Sequence, residues 1–351
     1  MLYLHGIGHF HPENVITNRF LEELEIGTDE AWILERVGIR ERRTVLPLDY
    51  ILRTRNRDPR AAHEASLYRN AETAAAAAKM AIARAGLGPD DIGLVISGCC
   101  APERTTPAEA ATVAAELGID APCLDVNSAC TTFGMQIDLI DRMAANRLPP
   151  FVLAVQPENF TRSIDFGDRS SAVLFGDGST AAVLSATVKA RAAFLKSSCG
   201  TNAKAWQKVM IPHSGHFCQD GHAVQGFAIR RMTESVRSLR EASGNDDGRS
   251  NGGRFRFIGH QANLGALRTV CERAGIASEE HWSNVEQFGN TGAAGGSSVL
   301  SEHWEELRPG DRVAVCLVGA GLTWVHLLLA VEGKPCPGGF GKSEYLEKAI
   351  L

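Results

Sequence analysis

The sequence predicts an α/β chain made of two topologically similar halves, and three observations predict it. Short apolar runs alternate with stretches of helical spacing along the chain, the pattern of a sheet covered by helices. At 351 residues the chain exceeds the roughly 250–300 residues at which a single hydrophobic core stops growing. Each half also places a reactive side chain just after an apolar run, Cys130 after CLDV and His260 after FRFIG. The expected division is an N-terminal half over 1–185 carrying a nucleophilic cysteine, a C-terminal half over 186–333 carrying a histidine and an asparagine, and a tail over 334–351.

In chain order, the run at 92–98 reads as a strand preceded by a helix from about Asn70 to Ala85, whose AAAAAKMAIARA core has side chains small enough for close packing. CLDV at 123–126 and FVLAV at 151–155 continue the first half. FRFIG at 255–259, a helix through about Ala274, and the strands RVAVCLV and LTWVHLLLAV either side of Gly319 and Gly321 form the second. The stretch 241–254, EASGNDDGRSNGGR, has no apolar periodicity and reads as an exposed connection. The stretch 44–62 reads as an Arg-rich loop. Between Arg36 and Arg60 eight arginines face three acids, an excess of five positive charges in a chain of net charge −5, which makes a candidate dock for phosphates or an acidic carrier protein.

The acidic balance argues against a nucleic-acid binder. No apolar run reaches the ~18 residues of a membrane span and no leader is visible at the start, so a cytoplasmic location is expected. Nine cysteines scattered through a long chain read as reduced thiols, most of them buried, with Cys99, Cys100 and Cys123 as bystanders to the reactive one. His213, His216, Cys218 and His222 fit no closed zinc spacing, so no metal is expected. GGFGKS in the tail lacks the first glycine of a phosphate-binding loop, the position being Cys336. There is no G-x-S-x-G elbow for a serine hydrolase.

Cys130 precedes TTFGMQIDLIDRM, so its thiol should sit at a helix N-terminus, where unpaired amides and the helix dipole favour the thiolate. His260 follows a strand directly, and Asn290 stands in a Gly-rich turn entering a helix. Each alone reads as an ordinary structural residue, and the three together point to a reactive site.

These residues stand in recognisable segments: WILERVGIRERR (32–43), DVNSACTTFG (125–134), FGDGS (175–179), QDGHAVQGFAI (219–229), GHQAN (259–263), FGNTGAA (288–294) and GAGLTW (319–324). In them the chain resembles the β-ketoacyl-acyl-carrier-protein synthase III family, the initiating condensing enzymes of fatty-acid synthesis, and their polyketide-pathway relatives. The resemblance implies a thiolase-like fold of duplicated α-β-α-β-α layers and a homodimer. It implies that Cys130 takes an acyl group from an acyl-coenzyme A or acyl carrier protein thioester, and that His260 and Asn290 stabilise the enolate of a malonyl- or 3-oxoacyl-type partner during Claisen condensation. The backbone N–H groups of Cys130 and Gly321 would form the oxyanion hole. Trp32, Arg36, Arg162, Gly221 and Asn263 would hold coenzyme A or its pantetheine arm, with those thioesters as substrates and no further cofactor.

Three departures point to a specialised condensation. Thr106 stands where the family usually has a phenylalanine reaching the partner's acyl pocket, and where hydrocarbon-forming relatives have a glutamate. Leu322 replaces a phenylalanine beside the same pocket. Gly265 replaces an arginine after HQAN. An acyltransferase passing the acyl group to oxygen or nitrogen is the alternative of the same fold, and a catalytically silent partner subunit is a third reading.

Overall fold

The computed structural model describes residues 1–213, 215–244 and 253–333. Residues 245–252 of the connection expected at 241–254, and the whole tail at 334–351 with its GGFGKS, lie outside the described residues. Nine strands form the main sheet: β1 (Leu2–Phe10), β2 (Leu94–Ser97), β3 (Cys123–Asp125), β4 (Val152–Glu158), β5 (Gly178–Ser185), β6 (Ala192–Thr201), β7 (Phe255–Gly259), β8 (Arg312–Gly319) and β9 (Thr323–Val331). Six helices flank them: α1 (Asn70–Ala85), α2 (Glu109–Leu117), α3 (Thr132–Arg142), α4 (Gly221–Ala242), α5 (Leu264–Ala274) and α6 (Gly295–Glu302).

The strand order is β7-β8-β9-β6-β1-β5-β4-β2-β3. Read outward from the centre, β1-β5-β4-β2 matches β6-β9-β8-β7 in order and direction. In these four-strand sets the outer pair is parallel, β2 with β4 and β7 with β8, and the other pairs are antiparallel, while β3 adds to the first half as a further parallel strand beside β2. Only three residue pairs, Leu2 to Leu4 against Phe194 to Ala192, join the half-sheets. The boundary expected at 185/186 falls in the link between β5 and β6.

Helices α3 and α6 each contact strands of both halves and form a shared middle layer. Helices α1 and α2 cover the outer face of the first half, and α4 lies on β7, β8 and β9 of the second with α5 packed beside it. The strands read as unbroken apolar runs because both faces are covered. In β8, Val313, Val315 and Leu317 point to the middle layer, while Ala314, Cys316 and Val318 point to the outer helices. The same alternation splits Val152 and Ala154 of β4 from Leu153 and Val155. Among the described residues, no helix is long and apolar enough to cross a membrane.

Three strands at the centre, β1, β5 and β6, carry no uniform apolar run. In β1 the run is broken by His5, Gly6, Gly8 and His9, and the glycines explain the alanines of α1. A Cβ on Gly8 would lie 2.1 Å from the carbonyl oxygen of Ala77, and one on Gly6 would lie 2.2 Å from that of Ala81. The helix backbone therefore rests directly on the strand, a contact no larger side chain permits. The expected loop at 44–62 is a correction: it contains helices Leu48–Thr54 and Pro59–Ala65. The arginine-rich field is smaller than the sequence implied, because Arg42 is fully buried, bonded to Asn18 and to the carbonyl of Val173. Arg40, Arg43 and Arg53 pair with Glu286, Glu41 and Asp49.

Gly8→Ala should lower the stability of the protein by roughly 1–3 kcal/mol or more, the cost of overpacking, in urea or thermal melts. Gly226→Ala, at a helical position with nothing within 4 Å, should hold or raise it in the same assay. Equal stability of wild type and Gly8→Ala would contradict the strand–helix contact.

Candidate active site

The parallel strands of both halves end at one place. After β3 the chain makes a 3-10 turn over Ala129–Thr131 and enters α3, so Cys130 sits at the start of a helix as its sequence implied. The turn is bound to itself. Asn127 Oδ1 accepts from the Ala129 N–H, Thr132 Oγ1 accepts from the Ser128 N–H and donates to the Ala129 carbonyl, and Thr131 Oγ1 donates to the Ser128 carbonyl. These bonds hold Ala129 at φ +47°, a left-handed conformation that costs an alanine of the order of 1–2 kcal/mol. Strain of this kind survives only where the surroundings over-determine it.

Two glycines press on the turn. A Cβ on Gly319, at the end of β8, would lie 3.2 Å from the Cβ and N of Cys130 and from the N of Thr131. One on Gly98, just past β2, would lie 2.0 Å from the Val126 carbonyl oxygen and 2.8 Å from Thr132. The Cys130 turn thus lies between the backbones of the two half-sheets.

His260 follows β7 and is 5 % exposed. Its Nδ1 is buried without a partner, and the ring lies close enough to the Cys130 thiol to favour its thiolate. The loop is fixed by Gln261, whose Nε2 donates to the Gly259 carbonyl and whose Oε1 accepts from the N–H groups of Asn284 and Val285. Asn290, also buried, is tied through its backbone to Leu174 and Gly176. Its Oδ1 accepts from the Gly292 N–H at 3.1 Å. That bond uses the acceptor and leaves the Nδ2 donor for a ligand.

Two neighbours of Cys130 belong to no motif in the sequence. Cys100 Sγ lies 3.7 Å from Cys130 Sγ, so Cys100 is no bystander. Glu158 ends β4, and its Oε1 accepts from the N–H groups of Cys100 at 2.6 Å and Ala293 at 3.3 Å. Its Oε2 is buried without a partner. Gly292 makes room for both, since a Cβ there would lie 2.8 Å from Glu158 Oε2 and 3.2 Å from Cys100 Sγ. The electrostatics follow. The hydrogen bond from Cys100 holds the Cys130 thiol well below the ordinary thiol range, against the opposing effect of burial, with His260 adding to it. The same bond, with burial, pushes Cys100 well up. Burial, then the charge of Cys130, pushes the Glu158 carboxyl up to about 8.

The expected thioester-binding residues divide. Trp32 lies on helix Glu30–Arg36 with Arg36 in its last turn. The cation beside Trp32 is Arg169, whose guanidinium carbon is 4.7 Å from the ring centroid and whose Nη1 donates to the Gly27 carbonyl. Arg162 is a correction: it is 2 % exposed and pairs with Glu103 at 2.8 Å, with further bonds to Asn70 and the Asn159 carbonyl. A guanidinium so enclosed is committed to the interior. Asn263 caps α5 through Oδ1, leaving its Nδ2, and Gly221 is the first residue of α4. Gly321 has φ +74° and Leu322 φ +45°, and Leu322 is buried among the outer residues of the second half. Thr106 is exposed on the loop between β2 and α2. His216 is bonded to the Asn56 carbonyl. Among the described residues, no cluster of three or more His, Cys, Asp or Glu is placed to hold a metal.

Comparison with known proteins identifies the family and the fold. Residues 124–203 match 3-oxoacyl-[acyl-carrier-protein] synthase III, and residues 255–331 match the C-terminal region of the same synthase. The chain is 31 % identical over 324 residues to a β-ketoacyl-[acyl-carrier-protein] synthase III of Oceanobacillus iheyensis, covering 91 % of this chain and 95 % of the relative. The crystal structure of 3-oxoacyl-[acyl-carrier-protein] synthase III from Aquifex aeolicus superposes with a TM-score of 0.81 at 27 % identity, covering 94 % of this chain and 100 % of that one. The priming β-ketosynthase of the R1128 polyketide pathway superposes with a TM-score of 0.76 at 25 % identity, covering 95 % and 97 %.

Iodoacetamide should alkylate Cys130 at pH values well below those needed for Cys123, whose thiol is pushed up by burial. Since only the thiolate reacts, a lowered pKa extends reactivity toward acid, and His260→Ala should move the Cys130 profile back toward about 8.5. Parallel profiles for Cys130 and Cys123, read by peptide mass spectrometry, would contradict the arrangement.

Proposed function

The chain belongs to the β-ketoacyl-[acyl-carrier-protein] synthase III family, and on that premise we propose that Cys130, His260 and Asn290 carry out its condensation. The protein is a condensing enzyme: it takes an acyl group from a thioester and joins it to a second thioester by a carbon–carbon bond. In the first step the Cys130 thiolate attacks the acyl carbonyl, and the N–H groups of Cys130 and Gly321 hold the oxyanion until the donor thiolate leaves. In the second, a malonyl-type thioester loses carbon dioxide. The electron pair of the broken bond forms an enolate, whose oxygen accepts from Nε2–H of His260 and Nδ2–H of Asn290. The enolate carbon attacks the acyl-Cys130 carbonyl, and the cysteine leaves as the thiolate it was at the start.

The observation that carries this reading is the convergence of three separate elements on one buried point. The buried His260 ring lies beside the Cys130 thiol, where a ring N–H would serve as a donor. Two side-chain donors suit an enolate oxygen, and this favours carbon–carbon bond formation over transfer of the acyl group to oxygen or nitrogen.

For the donor we propose the stacked pair of Trp32 and Arg169 as the platform for the planar base of coenzyme A, with Arg36 supplying charge to its phosphates. Gly221 and the free Nδ2 of Asn263 are proposed along the pantetheine arm. The arginines between Arg36 and Arg60, without the buried Arg42, remain the proposed dock for an acidic carrier protein. A second copy of the chain would pair along β3, the edge strand that leads to Cys130 and exposes Leu124, and Thr106 would then border the partner's acyl pocket. Its small side chain would admit acyl groups longer than acetyl, above a floor set in part by Leu322.

His260→Ala and Asn290→Ala should each slow condensation by about 10²–10³, the cost of one preorganised oxyanion donor, while leaving acylation of Cys130 measurable by intact mass. Arg169→Ala should raise the KM for an acyl-coenzyme A donor and leave that for an N-acetylcysteamine thioester unchanged. Arg162→Ala should instead lower stability, because it removes a buried charge pair and leaves Glu103 with only the exposed Arg104 as cationic partner. A change in coenzyme A affinity with Arg162→Ala at full stability, and none with Arg169→Ala, would reverse the two assignments.

A further inference from the structure

The pair Cys100 and Cys130 does more than the condensation requires. We propose that the two thiols form an oxidation site, in which a hydroperoxide converts them reversibly to a disulfide that closes the active site. The inference rests on Cys130 being the reactive thiol of the proposed function, and goes beyond it.

Geometry carries the proposal. The two sulfurs are 3.7 Å apart, in van der Waals contact, and a disulfide needs them at about 2.05 Å. Both residues are partly exposed, so a small oxidant can reach them. The residues come from different strand ends, Cys100 beyond β2 and Cys130 beyond β3. Cys99, the immediate neighbour, turns the other way, toward Asn70 and Glu109. The third part is Glu158, a buried carboxyl whose Oε1 already fixes the Cys100 backbone and whose Oε2 has no partner.

The chemistry balances. The Cys130 thiolate attacks one oxygen of the hydroperoxide, an S–O bond forms, and the O–O bond breaks. The alkoxide leaves with the proton held on Glu158 and becomes an alcohol. Cys130, oxidised by two electrons, is a sulfenic acid without charge. The charge that helped to keep the Glu158 carboxyl protonated is then gone, so its carboxylate can accept the proton of Cys100. The Cys100 thiolate attacks Cys130 Sγ, the S–S bond forms, the S–O bond breaks, and the departing hydroxide takes the same proton to become water. Two thiols and one hydroperoxide give a disulfide, an alcohol and water. A thiol reductant reverses the change.

The test treats the whole protein with hydrogen peroxide and follows intact mass, non-reducing peptide maps and condensing activity. Wild type should lose the mass of two hydrogens, yield a peptide joining Cys100 to Cys130, and lose activity. Dithiothreitol should restore both mass and activity. Cys100→Ser, with Cys100→Ala as a second variant and circular dichroism confirming each fold, should show no such cross-link. Its Cys130 should instead gain two oxygens as a sulfinic acid that dithiothreitol does not reverse. Prior incubation with an acyl thioester should protect wild type, since an acylated sulfur cannot be oxidised this way. Wild type that proceeds to sulfinic acid without the cross-link, or that links Cys130 to Cys99, overturns the proposal. A cross-link to Cys100 on a cysteine that takes no acyl group would sustain this inference while removing the proposed function.

Discussion

The site depends on a backbone contact. The turn carrying Cys130 is wedged between Gly98, just beyond β2, and Gly319, at the end of β8, and neither position has room for a Cβ without displacing the turn. Because Gly98 belongs to the first half and Gly319 to the second, the contact fixes the two half-sheets relative to each other at the point where chemistry occurs. The left-handed Ala129 follows from it, since the chain must turn sharply to present Cys130 at the head of α3. So does the approach of the other groups: β7, parallel to β8, delivers His260 to the same end, and the turn entering α6 delivers Asn290 and Gly292.

Placing a thiolate in so closed a space sets the electrostatics around it. Cys130, Cys100 and Glu158 lie close together, and burial makes each group's protonation depend on the others. The Cys130 thiol is held low by the hydrogen bond from Cys100, with His260 adding to it, and Glu158 is pushed up by burial and by the charge of Cys130. Acylation or oxidation of Cys130 removes that charge and releases the carboxyl. This coupling is why a cysteine beside the nucleophile and a carboxyl at a strand end belong to the site although neither contributes to its motif.

The sequence made some of this legible and not the rest, for physical reasons. Cys130, His260 and Asn290 could be read because each follows a local signal, an apolar strand or a Gly-rich turn, that the structure keeps. The outer strands were legible as apolar runs, but β1, β5 and β6 were not: β1 trades side chains for close approach of α1, and β5 buries Ser179 and Thr180 in hydrogen bonds to Thr73, Gln156 and Ser297. Arg162 and Arg169 stand seven residues apart in FTRSIDFGDR, and only tertiary burial decides which one faces Trp32. Glu158 offered a faint sign, a carboxylate closing an otherwise apolar strand, whereas the nearness of Cys100 to Cys130, thirty residues away, exists only in the fold.

The measurement that tests the account most directly follows one turnover by mass. Protein is loaded with an acyl thioester, the acylated peptide is identified, and malonyl carrier protein with labelled carbons is then added. The account predicts that the acyl group sits on Cys130 alone, and that it departs in a product lengthened by two labelled carbons as labelled carbon dioxide is released. An acyl group found on another residue, or one that leaves Cys130 for an oxygen or nitrogen acceptor without a new carbon–carbon bond, would contradict it.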